Sequence, residues 1–390
     1  MIVHFDCRHF LGHKPCRFRR ECDGCPHHEP FGFRILIIKL AAMGDVLRTT
    51  PLLHGLKKAY PRCHISWLTE PDVFPLLQGI TEIDRLIPYT PEWAFQLEGE
   101  VFDQLYCFDK EPKATVLAGK VRADRKAGFG MTEFGGVMPL NQESEYTFEL
   151  GINDPLKFRI NTKTYPELIY ECAGLPYPVP QEYIFSDLSA EITEARKNLA
   201  PLGAGPQDLK IGLNTGAGEV FATKKWTEEG YTQLSNRLAG ELGAKVLLLG
   251  GPAEVERNQR IAAAARHPLI DMGNRNPIRK FAGIVGNCDL MVTGDTLALH
   301  IAIGLKVPVM VILGPTCHQE IELYGRGEKI VSDFECSPCY LSTCPKETTC
   351  MEATPADRVF EGVARILSRT RRGTGVPIKN GGNPLHSGEG

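Results

Sequence analysis

Apolar positions along the chain fall into two kinds of run. Ile35 to Ile38 form an unbroken apolar stretch bounded by Arg34 and Lys39, the mark of a short strand covered on both faces. From Val46 onward, Leu47, Leu52, Leu53, Leu56 and Ala59 recur at three-to-four spacing, which is a helical period. The segment therefore predicts strand, tight turn and helix. Gly44 permits the turn, and Asp45 caps the helix, where unpaired backbone N–H groups and the dipole favour a negative charge. Between 33 and about 185, strand-like "HISWLT", "DRLIPY", "DQLYCFD" and "DRKAGFG" alternate with helix-like "TTPLLHGLKKAY" and "PKATVLAGKV". That alternation predicts a sheet fed by crossover helices.

The stretch "LAPLGAGPQDLK", 199 to 210, is rich in Pro and Gly and reads as a joint between domains. After it the pattern restarts with strands "KIGLNTG", "KVLLLGG", "LIDMG", "DLMVTGD" and "PVMVIL", and with helices near 227–242, 253–265, 277–285 and 297–304. The chain is expected to hold an N-terminal segment over 1–31, one doubly wound domain over 32–200, a second over 201–354, a closing helix over 355–370 and a disordered tail over 371–390. Two such α/β domains leave a cleft between the carboxyl ends of their strands, where ligands of these folds bind.

At 390 residues, with 23% charged and 43% hydrophobic residues and a formal charge of −3, the composition is that of an ordinary globular protein with two cores. No chain-wide basic excess points to nucleic acid, and the small clusters Arg17, Arg19, Arg20 and Arg369, Arg371, Arg372 read as solvated. No apolar run is long enough to span a bilayer, and "MIVHFDCRHF" lacks the apolar centre of a signal peptide, so a cytoplasmic location is expected.

Three motifs carry candidate chemistry. "NTGAGEVFATKKW" leaves the first strand of the second half, and its small residues Thr215, Gly216 and Gly218 allow backbone N–H groups to approach a phosphate, with Lys224 and Lys225 nearby. "LGGPAE" ends the next strand and offers Glu254 as a partner for ribose hydroxyls. "VTGDTLALHIAIGLKVPVMVILGPT" repeats the opening arrangement: Gly294 ends a strand, Asp295 and Thr296 cap a helix suited to pyrophosphate, and His300 falls one turn further on the same face.

In this order, "LAAMGDVLRTTPLL", "KKW" and "GDTLALHIAIGLKVPVMVILGPT" make the chain resemble glycosyltransferase family 9, the ADP-heptose heptosyltransferases of lipopolysaccharide assembly, over roughly 33 to 368. The resemblance implies the two-domain GT-B fold, a donor ADP-sugar held by the C-terminal domain, and an acceptor hydroxyl, on a lipid-linked core glycan or a protein, held by the N-terminal one. By position Asp45 matches the catalytic base, Lys224 the phosphate-binding lysine, with Lys225 competing for that role, Glu254 the ribose ligand, and Asp295, Thr296 and His300 the diphosphate motif. It also implies work at the inner face of the membrane with peripheral contact. Inverting transfer needs a carboxylate opposite the leaving diphosphate. With Lys224 and the helix N-terminus at Asp295 to stabilise the departing charge, no catalytic divalent metal is required.

Thirteen cysteines in a reducing compartment favour metal over disulfide wherever they cluster. "CSPCYLSTCPKETTC" supplies Cys336, Cys339, Cys344 and Cys350, and the N-terminal segment supplies Cys7, Cys16, Cys22 and Cys25, with His9, His13, His27 and His28 as alternates. Residues 1–31 show almost no apolar periodicity and need a crosslink to hold together. Spacing leaves zinc, mononuclear iron and an iron–sulfur cluster all open for each group. Some family members, protein O-heptosyltransferases among them, carry a similar C-terminal cysteine group resembling a structural iron site. Cys63, Cys107, Cys172 and Cys288 read as buried thiols. The competing reading of the whole chain is a metal- or redox-responsive nucleotide-sugar-binding protein on a degenerate transferase scaffold.

Overall fold

A computed structural model describes residues 2–218 and 222–374, with side chains to residue 370. Glu219 to Phe221 of the Gly-rich loop, and 375–390 of the tail expected to be disordered, lie outside the described residues.

Two six-stranded sheets carry the chain. The first has the order β3-β2-β1-β4-β5-β6, with β1 (Arg34–Ile38), β2 (His64–Thr69), β3 (Arg85–Pro88), β4 (Val101–Cys107), β5 (Arg122–Met131) and β6 (Val137–Pro139). All its pairings are parallel except β5 with β6. The second has the order β12-β11-β10-β7-β8-β9, with β7 (Lys210–Asn214), β8 (Lys245–Leu249), β9 (Ile270–Asp271), β10 (Leu290–Thr293), β11 (Val309–Leu313) and β12 (Gly327–Val331), parallel throughout. In both sheets the first strand is central and the order reverses beside it, which opens a crevice beyond the carboxyl ends of β1 and β7. Ile35 to Ile38 and Ile211 to Leu213 are fully buried, as continuous apolar central strands require.

The opening segment differs from its sequence pattern in two ways. The helix expected from Val46 is two helices, α1 (Met43–Thr49) and α2 (Leu52–Ala59). Pro51 explains the break: it has no N–H to donate, and its ring would strike the carbonyl of Leu47. Thr50 N–H and Oγ1 take up that carbonyl instead, at 3.0 and 2.7 Å. Asp45 is also not the cap. Ala42 holds that position, and Asp45 is the third helical residue, within the first turn. Asp109 shapes the turn, because its carboxylate accepts from Lys39 Nζ and from the backbone N–H of Leu40.

The helix Ser189–Leu199 precedes the Pro/Gly-rich joint in sequence but packs on the second half, where Arg279 Nε meets Glu191 at 2.6 Å and Asn287 Nδ2 donates to the Ile192 carbonyl at 2.8 Å. The last helix runs Ala356–Thr374, so residues 371–374, expected in the tail, continue it. It covers the second sheet through Val359, Phe360, Val363 and Ile366. Among the described residues no helix is long and apolar enough to cross a membrane.

Residues 2–31 of the N-terminal segment have no helix or strand, only an isolated bridge between Cys7 and Pro30. It docks at the amino ends of β1 and β2, away from the crevice. Arg8 joins Glu29 to Asp84, and the Phe31 ring stands edge-on to His64 with centroids 4.8 Å apart. Burial pushes the His64 imidazole from 6.5 down to about 4. The unfolded chain therefore takes this proton first: the stabilisation is complete above pH 6.5 and is lost as pH falls from 6.5 toward about 4. His64→Phe is expected to flatten part of the decline of the melting temperature over that interval; a decline identical to wild type would contradict this.

Candidate active site

Both halves of the chain deliver polar side chains to the crevice. On the N-terminal side, α1 brings Asp45, whose carboxylate is 40% exposed, and Arg48, which is buried. The Arg48 guanidinium lies 3.6 Å from Asp45, 3.3 Å from Glu320 of the second domain, and 3.8 Å above the Tyr165 ring. It ties the two domains together and fixes one side of Asp45.

On the C-terminal side three strand ends converge. The loop after β7 carries Lys224 and Lys225, the turn after β8 carries Glu254, and the turn after β10 carries Gly294, Asp295 and Thr296. Lys224 Nζ donates to Asp295 Oδ2 at 3.1 Å. Asp295 Oδ1 lies 3.8 Å from His300 Nε2, and the His300 Nδ1 is 3.2 Å from the Tyr183 hydroxyl of the first half. Burial pulls the His300 pKa down, aided by the Arg48 charge, so the ring is neutral. Its contacts assign the tautomer: Nε2–H faces Asp295 and Nδ1 accepts from Tyr183. For Asp295, burial acts to raise the pKa, but His300, Lys224 and Arg48 outweigh it and hold the carboxylate ionised well below the usual range.

Glu254 is buried, its Oε2 accepting from the Gly251 N–H at 2.9 Å and its Oε1 3.4 Å from Lys225 Nζ. A Cβ on Gly216 would fall 2.6 Å from the Glu254 carboxyl carbon, so glycine there lets the loop lie against the acid. Gly218 has φ +70°, a conformation that favours glycine. Thr215 Oγ1 donates to Asn258 Oδ1 at 2.5 Å. Gly294 brings its backbone close to Lys224, where a Cβ would sit 3.3 Å from the lysine carbonyl. Thr296 is the cap residue of the helix Leu297–Gly304, but its side chain does not cap it. Its hydroxyl instead meets Thr293 Oγ1 at 2.9 Å and Asn214 Nδ2 at 3.3 Å.

Gly44 joins the two sides. A Cβ there would lie 2.5 Å from the His300 ring, so this residue serves the contact between α1 and the helix Leu297–Gly304 rather than the turn. Asp45 and Lys224 are thereby linked through one continuous wall, Gly44 against His300, His300 beside Asp295, Asp295 bonded to Lys224. Gly44→Ala is expected to cost roughly 1–3 kcal/mol by overpacking and to reduce turnover together with the melting temperature. Unchanged values would contradict the contact.

Sequence patterns did not single out Arg48, Glu320, Tyr183, Asn214 or Asn258. Arg48 had one local signal, its place one turn after Asp45 on the same helix face. Asn214 opens the Gly-rich motif and Asn258 follows Glu254 by one helical turn, whereas Glu320 and Tyr183 come from distant segments and had no local signal.

The second cysteine group borders this site. Cys336, Cys339, Cys344 and Cys350 line one cavity with Gly314 and Pro315. Burial raises the Cys350 pKa, reinforced by the other three thiols. The loop holds both ends of the "KKW" stretch: Thr223 Oγ1 donates to the Leu341 carbonyl at 2.7 Å and Trp226 Nε1 to the Thr354 carbonyl at 2.9 Å. Cys7, Cys16, Cys22 and Cys25 line a separate cavity in the N-terminal segment. None of the thirteen cysteines forms a disulfide, and Cys7, Cys63, Cys107, Cys172, Cys288 and Cys317 are buried.

Residues 96–349 match the family model described as glycosyltransferase family 9 (heptosyltransferase). Lipopolysaccharide heptosyltransferase 1 of Pseudomonas aeruginosa is 25% identical over 334 residues, 81% of this chain and 88% of that protein. The glycosyltransferase family 9 structure from Veillonella parvula superposes with a TM-score of 0.72 at 19% identity, covering 87% of this chain and 99% of that one. TibC of enterotoxigenic Escherichia coli, a dodecameric iron-containing heptosyltransferase solved with ADP-D-β-D-heptose, superposes at 0.54 with 11% identity over 87% of this chain and 78% of that one. These likenesses share the two-domain α/β fold.

Proposed function

The chain belongs to glycosyltransferase family 9, the heptosyltransferases, and from that premise we propose that it moves a heptose from an ADP-linked donor to a hydroxyl of a lipopolysaccharide core acceptor, with inversion at the transferred carbon. The observation that carries this reading is the continuous wall from Asp45 through Gly44, His300 and Asp295 to Lys224, which sets an accessible acid on one domain beside a Gly-lined cluster of two lysines and two acids on the other.

Asp45 accepts the proton of the attacking hydroxyl as the bond to the anomeric carbon forms and the bond to the diphosphate oxygen breaks. Arg48 holds that carboxylate toward the acceptor side. Negative charge then grows on the departing ADP. Lys224 and the backbone N–H groups at the start of the helix Leu297–Gly304 receive it, and they supply the positive potential that a divalent ion would otherwise provide. Glu254, behind Gly216, hydrogen-bonds the ribose, releasing Lys225 toward the phosphates. Asp295 orients Lys224, and neutral His300 orients Asp295 without adding a competing charge.

Cys336, Cys339, Cys344 and Cys350 hold a structural metal, in keeping with the iron reported for TibC. Their four thiols face one cavity and suit a thiophilic metal. A metal held there would crosslink the loop whose Leu341 and Thr354 carbonyls accept from Thr223 and Trp226, on either side of Lys224. The acceptor brings the enzyme to the inner membrane face as a peripheral protein.

Incubation with ADP-heptose and heptose-deficient core lipopolysaccharide tests the reading. Release of ADP with a β-to-α or α-to-β change at the anomeric carbon is expected. Retention of configuration, or no transfer to any core or protein hydroxyl offered, would overturn it.

A further inference from the structure

Residues 2–31 have an inside made of ligand-bearing side chains. Backbone bonds from Arg8 N–H to the Glu29 carbonyl, at 2.9 Å, and from Phe31 N–H to the Asp6 carbonyl, at 2.8 Å, fasten the two ends of the segment together, and the loop between them contains only turns and bends. A stretch this short seldom buries enough hydrocarbon to hold its shape, since below roughly 40 residues a fold usually needs a disulfide, a metal or a partner. Here the apolar side chains face outward: Phe5 is 78% exposed, and Ile2 and Leu11 are exposed as well. The cysteines are the residues withdrawn from solvent. Cys7 is the one buried residue of 2–31, and between 11 and 30 the residues that are even half-buried are Cys16, Phe18, Cys22, Cys25 and His28.

The backbone turns at each of these cysteines. Cys22 and Cys25 stand at the ends of one turn, where Gly24 takes φ +61° and the Cys25 N–H reaches the Cys22 carbonyl at 3.1 Å. That is a chelating spacing for two thiolates. A second turn starts at Cys16, whose carbonyl accepts from Arg19 N–H at 2.9 Å; Arg19 holds φ +49°, a strained value for a residue with a side chain, which persists only where the surroundings impose it. Backbone N–H groups, that of Phe18 foremost, pull the Cys16 thiol below its usual pKa and so favour the thiolate, the form that binds metal. In a third turn Phe10 N–H meets the Cys7 carbonyl at 2.9 Å.

All four cysteines line one cavity, together with His4, His9, His27 and His28. The imidazoles have partners of their own. His9 Nε2 meets Glu29 at 3.0 Å, His28 Nε2 meets Asp6 at 3.2 Å, His4 stacks on His28, and His27 stacks on Phe18. The ligand atoms of His4, Asp6 and His28 lie within 4.8 Å of one another and form a harder, more exposed alternative at the same segment. A thiophilic metal prefers the sulfurs.

We propose that Cys7, Cys16, Cys22 and Cys25 bind a thiophilic metal, zinc or iron, which takes the place of an apolar core and fixes residues 2–31 against the first domain. The site is separate from the transfer chemistry. It sits by the amino ends of β1 and β2, where Arg8 meets Asp84 at 3.0 Å and Phe31 stands against His64. Loss of the metal therefore frees the segment and leaves turnover unchanged.

The full chain, expressed with zinc and iron supplied and purified without oxygen, is alkylated in the native state with and without prior chelation. Each modified cysteine is located by peptide mass spectrometry, and zinc and iron are measured in the same samples, which identifies the metal. Cys7, Cys16, Cys22 and Cys25 are expected to resist alkylation until the chelator removes the metal, and then all four react. Trypsin is expected to cut at the exposed Lys14, Arg17, Arg19 and Arg20 only after chelation. A Cys16→Ser, Cys25→Ser double variant loses the N-terminal share of the metal and becomes sensitive to trypsin while transferring sugar as wild type does, and Asp6→Ala loses no metal. Free alkylation of these four thiols in the untreated chain, or a disulfide among them, overturns the proposal; protection of Cys336, Cys339, Cys344 and Cys350 in that sample leaves the metal reading of the C-terminal loop standing. Metal that survives in the double variant and is lost on Asp6→Ala belongs to His4, Asp6 and His28 and overturns it too. Should the double variant fail to fold, the alkylation pattern of the wild-type chain decides.

Discussion

An Asp45→Asn enzyme is expected to transfer sugar roughly 10²- to 10⁴-fold more slowly than wild type, the usual contribution of a positioned general base. The amide keeps the shape of the carboxylate, so α1 and its contact with His300 persist. It cannot accept the hydroxyl proton. The carboxylate also has little structural work to do: it is 40% exposed, and its neighbour Arg48 keeps Glu320 and the Tyr165 ring as partners. The melting temperature should therefore change little, and the loss should fall on kcat with the KM for donor nearly unchanged. A drop in donor affinity matching the drop in turnover would assign Asp45 to donor binding instead.

Lys224→Ala is expected to weaken the donor by roughly 10- to 100-fold, since a hydrogen bond to a charged group contributes about 1.5–3 kcal/mol. It should also destabilise the apo protein. Asp295 is ionised and largely buried, and without the lysine it keeps only the longer contact to His300 and the charge of Arg48. Uncompensated charge in such a place is costly. The combination Lys224→Ala with Asp295→Asn separates the two effects. Removing the orphaned charge restores stability, while donor affinity stays low. Recovery of donor affinity in the double variant would show that Lys224 acts only as the counter-ion of Asp295.

The strands were legible in the sequence because they are central and apolar. Ile35 to Ile38 and Leu290 to Thr293 need no context to be read, and the helix Leu297–Gly304 begins and ends where its pattern placed it. Short edge pieces such as β6 and β12 were not read, since partly exposed strands lack a continuous apolar run. The break at Pro51 is a local rule overriding a periodicity that runs through it. Asp45 and Asp295 were found as acids at helix starts, but for a reason the structure replaces: neither side chain caps its helix, and their partners are Arg48 and Lys224. Those partnerships join segments far apart in the chain, which no local pattern reports.

The separation of roles between the two sides of the crevice is tested most directly by isothermal titration of ADP-heptose into the wild-type and Asp45→Asn proteins. Both should bind with dissociation constants within about twofold of each other, because the base contacts the acceptor and not the donor in the ground state. Absence of binding to the wild-type protein, or loss of binding on Asp45→Asn, would contradict the account.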